Sequence, residues 1–308
     1  MGFSGPDKLV RLQITLFRRI VSCNHTGRFA SLRSSNNKEM TQMNIKQTMK
    51  KILSIITALF IGNFLFIIIS LSFKTQLMAL IPNPNIHSFV AQVITALLAT
   101  VSVLMFHKTN IYKFNGKVLK EGFFTGLPLI ITYTVLLLGS LTDLPGKQLI
   151  PAIEIVCVVL EWFLIGIAEE SVFRGVVYEL CSDIFGSSSR KGVYLTILVS
   201  SVIFGLCHLT NLMAPGISVK AVVVQVVSAM ALGLLLAAIK YRSGGSIWPM
   251  VFIHALIDGS SFISGGMLWG GTQVSSINDL KLSNLLMIPI FIGIAVFIMR
   301  KEKTPELK

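Results

Sequence analysis

Charge is scarce in this chain. Asp, Glu, Lys and Arg together make up 13% of its 308 residues, against roughly 25% in a soluble domain. With 53% hydrophobic residues and a mean hydropathy of +0.75, there is too little polar surface to cover a water-facing globule. The solvent of such a chain is largely lipid. Acid is scarcest at the start, where residues 1–51 hold ten Lys/Arg but only Asp7 and Glu39. The net charge of +13 suggests nucleic acid, yet its placement excludes that partner. Beyond the first stretch, most basic residues sit in short loops between apolar runs, as in cytoplasmic loops rather than a phosphate-binding face. Cysteine is also sparse. Cys23, Cys157, Cys181 and Cys207 show neither CxxC spacing nor a pairing pattern, so they read as scattered fillers or free thiols. No internal repeat is visible.

Long apolar runs are abundant. They fall at about 52–73, 89–106, 122–141, 149–173, 193–209, 217–239, 246–264 and 282–300, most of them near the ~20 residues that span the hydrocarbon core. A backbone in lipid must satisfy its own hydrogen bonds, so each run is expected to be a helix. The expected fold is all-α: a polytopic membrane protein of about eight transmembrane helices enclosing a polar catalytic cavity.

Counting Lys/Arg on alternate sides orients the bundle. Loops 107–121, 174–192 and 240–245 and the tail hold thirteen, against Lys74, Lys147, Lys220 and Lys281 on the other side. This bias predicts an even number of spans with both termini cytoplasmic. Residues 1–48 are expected to be a basic, disordered extension, residues 49–303 the membrane domain with its core at about 150–265, and 304–308 a tail. The extension resembles an organellar transit peptide. Alternatively it precedes a later start at Met40, Met43 or Met49, and from Met43 the chain reads like a bacterial membrane-protein start. The favoured location is a bacterial plasma membrane, with an organellar membrane if the extension is a transit peptide.

A charged side chain near the bilayer centre costs about 2.5–3.5 kcal/mol even on insertion scales, so each one within a span is a functional candidate. The fourth run carries Glu154, Glu161, Glu169 and Glu170, the fifth His208, and the seventh His254 and Asp258. Glu170 and Arg174 stand four apart and can pair on one helical face. Glu169 then points about 100° away and is free to face a cavity. The plainer reading of this segment is a charge cluster at a helix end. His254 and Asp258 also share a face, after Gly244-Gly245-Ser246 and Pro249; the plainer reading there is an interhelical polar contact. Glu154 and Glu161, seven apart, read as a cavity stripe or an interhelical contact, or, with Asp258, as the proton relay of a transporter. Taken together, carboxylates and histidines on three spans can deprotonate a water and hold an oxyanion.

Glu169-Glu170…Arg174, Phe204…His208 and His254…Asp258 follow the order EExxxR, FxxxH and HxxxN/D-like. In these motifs the chain resembles the CPBP family of intramembrane endopeptidases, which includes CAAX prenyl-proteases and bacterial relatives linked to bacteriocin maturation or immunity. The resemblance covers about residues 150–265. It implies a cavity open to the cytosol and lateral bilayer, in which Glu169 and His208 activate water while His254 and the residue at 258 stabilise the oxyanion. Glu170 and Arg174 would support these groups, with Phe204 beside them. Many members carry Asn where this chain has Asp258. A carboxylate cannot donate to an oxyanion, so Asp258 would act as the acid form or accept a hydrogen bond from His254. Metal-free catalysis is preferred; the alternative is zinc held by Glu169, His208 and His254, without the HExxH string. The implied partners are membrane lipid and a peptide or lipidated protein substrate. A non-catalytic role in bacteriocin self-immunity or scaffolding is the competing reading.

Overall fold

The computed structural model describes residues 45–65, 68 and 79–307. The readings made for the basic extension up to residue 44, a transit peptide or a later start at Met40 or Met43, lie outside the described residues. The chain divides into two compact units, Met1–Lys50 and Lys51–Lys308. Of the first, residues 45–50 are described and are helical; the rest of this section concerns the second.

Among the described residues every regular element is a helix. Helix α1 (51–59) passes into a π turn, Phe60–Phe64. Helix α2 is Pro84–Met105, α3 Gly116–Leu141 and α4 Ala152–Glu169. A π-helical stretch, Glu170–Val177, carries α4 directly into α5, Tyr178–Phe185. Then follow α6 (Arg190–Cys207), α7 (Val219–Arg242), α8 (Trp248–Ser264), the short α9 (Gln273–Asn278) and α10 (Met287–Ile298).

Local chemistry sets these boundaries. Asn83 opens α2 by accepting from the N–H groups of Asn85 and Ile86, with Pro84 in the first turn. Asn115, Ser189 and Ser218 cap α3, α6 and α7 in the same way. Pro128 lies inside α3, whose halves are bent by 67° where Thr125 meets Leu127; proline has no N–H for the helical ladder and crowds the preceding turn. Gly244 and Gly245 take φ of +73° and +98°, a left-handed turn that glycine adopts without strain and that delivers the chain into α8.

Helix α2, α6 with its 3-10 extension to Met213, and α7 are long and apolar enough to cross a membrane, and the bent α3 makes a fourth. The remaining runs fall short for identifiable reasons. Helix α4 carries Glu154, Glu161 and Glu169, α8 has only 17 residues, and the last run is the shorter apolar segment Leu282–Ile298. The first run, 52–73, is described only in part. The chain is therefore an all-α polytopic membrane protein, with up to four such crossings among the described residues. Large side chains such as Leu97, Leu138 and Val296 point outward, 58–65% exposed, as a lipid-facing surface requires.

Two expected loops are in part helix. The fourth run was read as ending near residue 173, but helix continues to Phe185, and Arg174 is buried at 2% exposure. Lys240, placed by the sequence in loop 240–245, belongs to α7 and is 1% exposed. Both cations find carboxylate partners, Glu170 wholly buried and Glu179 a third exposed, which offsets part of the cost of burying them.

Helix α7 is the central post. Leu235, Leu236, Ala238 and Ile239 are fully buried, and α3, α6 and α10 pack around it. Helix α4 packs on α2 and α8, and α8 on α3. Small residues allow the closest approaches, as between helices in lipid generally. A Cβ on Gly205 would lie 2.8 Å from the carbonyl oxygen of Val226 and 2.3 Å from Met230 Cγ on α7. Gly205→Ala should therefore destabilise the detergent-solubilised protein by about 1–3 kcal/mol. Gly293→Ala in α10, where the new atom meets nothing within 4 Å, should be neutral or stabilising. Thermal unfolding of the two variants checks the contrast.

Candidate active site

The site begins where α4 changes register. Glu169 is the last residue of α4 and Glu170 the first of the π stretch; such irregular turns are frequent at functional positions. The two neighbours divide their environments sharply. The Glu170 side chain is 0% exposed and that of Glu169 26%, so Glu170 faces protein and Glu169 faces a cavity.

Glu170 is answered by two cationic or donor groups. Arg174 Nη1 donates to its Oε1 at 3.1 Å, and His254 Nδ1 donates to the same oxygen at 2.8 Å. The other nitrogen of His254 lies 3.4 Å from Glu169 Oε2 and 3.8 Å from Asp258 Oδ2. Both ring nitrogens thus face carboxylate oxygens, an arrangement that suits the doubly protonated imidazolium. Glu169 Oε2 and Asp258 Oδ2 are themselves buried and make no hydrogen bond.

Gly166 permits this meeting of α4 and α8. A Cβ there would lie 2.9 Å from the carbonyl oxygen of Val251 and 3.5 Å from His254 Cβ. On the third element, α6, His208 Nδ1 lies 3.0 Å from the carbonyl oxygen of Phe204. The carbonyl can only accept, so Nδ1 carries the hydrogen and Nε2 keeps its lone pair if the ring is neutral. The Phe204 ring locks the three elements together. It lies 4.2 Å from the Arg174 guanidinium and makes edge contacts with Phe173 at 5.0 Å, His208 at 4.9 Å and His254 at 6.3 Å.

Glu169, His208, His254 and Asp258 all line one cavity of about 320 Å³. Glu170, Arg174 and Phe204 stand behind them. The sequence flagged all seven, and the fold gathers them. It did not flag the amides and hydroxyls that complete the wall: Gln92 and Thr95 from α2, Asn211, Gln225 from α7, and Gln273 and Ser276 from α9. Their only sequence signal is an uncharged polar side chain in or beside an apolar run, which is common. Glu154 and Glu161 take the interhelical role, bound to α2 through Asn85 at 2.6 Å and Ser88 at 2.7 Å. A second pair, the buried Lys240 against the Tyr178 ring with the partly exposed Glu179, also went unread, because Lys240 looked like a loop residue.

The zinc alternative needs Glu169, His208 and His254 around one point. Among the described residues no group of three His, Cys, Asp or Glu side chains is disposed to hold a metal ion.

Residues 151–260 match the family model described as Type II CAAX prenyl endopeptidase Rce1-like. The match covers about a third of the chain and supports the resemblance of this segment to the CPBP family. All seven motif residues fall within the Rce1-like match, whereas Gln92 and the α9 residues Gln273 and Ser276 fall outside it. Neither the curated proteins nor the solved structures include a match to the chain.

Removing one partner of a buried ion pair leaves the other charge uncompensated. Arg174→Ala should therefore cost about 3–5 kcal/mol, whereas Lys108→Ala, which breaks the partly exposed pair with Asp183, should cost less than about 1 kcal/mol. Denaturation of the two purified variants tests the difference.

Proposed function

We propose that the protein is an intramembrane endopeptidase that hydrolyses a peptide bond of a membrane-associated peptide, prenylated or leader-type, using a water activated by Glu169 and His208. The observation that carries this reading is the convergence of Glu169, His208, His254 and Asp258 on one cavity wall, within the segment matching an endopeptidase family. Glu169 lines the cavity with its side chain 26% exposed, where a carboxylate can take a proton from a water. His208, held through Nδ1, can take a proton at Nε2.

In this scheme Glu169 accepts a proton from the attacking water, and the hydroxide adds to the scissile carbonyl. His254, charged and anchored on Glu170, donates Nε2–H to the oxyanion. Asp258, with Oδ2 3.8 Å from the same Nε2, stabilises that imidazolium by its charge and leaves the single N–H to the oxyanion. Glu169 then returns its proton to the leaving amine, completing the exchange. The Lys/Arg bias between loops goes with both termini on the cytoplasmic side of a bacterial plasma membrane.

Glu169→Gln keeps shape but removes the base. Purified protein assayed on a panel of membrane-anchored peptides should lose on the order of 10²–10⁴-fold in cleavage rate with this variant, at an unchanged thermal midpoint. Retained cleavage would remove Glu169 from the mechanism. Chelation should leave wild-type activity intact; a loss that added zinc restores would replace this scheme with a metal-dependent one.

A further inference from the structure

One buried carboxylate has no part in that chemistry. Glu161 is 0% exposed, and its Oε1 accepts from Ser88 on α2 and from the Gln273 amide on α9. Its Oε2 is buried without a partner. Glu161, Ile165 and Glu169 fall at i, i+4 and i+8 on α4, hence on one face, and the last two line the cavity. Gln273 also lines the cavity, so Glu161 holds that amide in place at one end of the site. The short helix beneath Gln273 is braced. Thr272 and Ser275 cap each other reciprocally, and the Ser275 hydroxyl donates to the carbonyl oxygen of Gly265.

We infer that Gln273 is a substrate-positioning residue, latched by Glu161 so that its amide carbonyl accepts a backbone N–H of an extended peptide. The inference rests on the endopeptidase reading and adds a subsite to it. An amide whose N–H is committed to Glu161 keeps its carbonyl oxygen as an acceptor, which reads the backbone of a peptide whatever its side chains. The spacing fixes where. Eight residues of α-helix separate Glu161 from Glu169 by about 12 Å along the axis, the length of three to four residues of extended chain. The contacted N–H therefore lies three to four residues from the scissile bond.

The test uses the full-length protein and membrane-anchored peptides N-methylated at one backbone position at a time, since methylation deletes a single N–H. With wild-type protein, KM should rise on the order of tenfold when the third or fourth residue from the cleavage point is methylated on one side, with kcat nearly unchanged. Gln273→Leu should raise KM by a similar factor for the unmodified peptide and erase the sensitivity to methylation. Glu161→Leu should reproduce that defect, and Glu161→Gln, which keeps an acceptor for Gln273, should restore normal KM. Gln273→Met, closer in shape, serves if Gln273→Leu lowers the thermal midpoint. A wild-type methylation profile that is flat at those positions overturns the inference, as does a Gln273→Leu defect confined to kcat or to stability, and either result leaves the endopeptidase reading standing. Absence of cleavage by wild-type protein on every peptide brings down that reading, and this one with it.

Discussion

A carboxylate inside a lipid-solvated bundle persists only if other groups answer its charge, and Glu170 is the residue on which this constraint falls hardest. It is wholly buried, yet it draws Arg174 from its own helix and His254 from α8 onto a single oxygen. The first contact closes a turn of the π stretch. The second pins one helix to another. Replacing such a network by apolar side chains often leaves stability unharmed, so its presence in a chain otherwise rich in Leu, Ile and Val fits a requirement for a defined imidazole position. Phe204 supports that position mechanically, lying beneath the guanidinium and touching both histidine rings.

A similar logic recurs away from the motifs. Glu154 and Glu161 fasten α4 to α2, and Lys240 fastens α7 to α5 through Glu179. Each uses a polar contact where hydrophobic burial supplies no drive between helices that could as well face acyl chains. The glycines at 166 and 205 do the complementary work, bringing backbones close enough for short side chains to meet.

Much of this was legible in the residues themselves. Low charge and long apolar runs specify an all-helical membrane chain, and three motifs on three runs specify which side chains share a wall. What was not legible follows from long-range burial. Arg174 and Lys240 read as loop cations because a sequence shows basic residues at the end of an apolar run without showing the carboxylate that will receive them. The continuation of α4 to Phe185 was missed for the same reason: the charged stretch from Glu169 to Arg174 looks like a helix leaving the membrane until its partners on α8 and α6 are known. Gln92, Gln225 and Gln273 come from segments far apart in the chain, and no local pattern marks neutral amides that come to line one cavity only after folding.

The unbroken helical run from Ala152 through the π stretch to Phe185 has 34 residues, about 50 Å of rise in a hydrocarbon slab of about 30 Å. Glu169 stands at its midpoint, roughly 24 Å from the end at Phe185. Under the endopeptidase proposal Glu169 needs a second reactant, water, which acyl chains hardly dissolve. Under that proposal the hydroxyls and amides of the cavity wall serve twice, offering hydrogen-bonding partners both to a peptide and to the water that must reach Glu169.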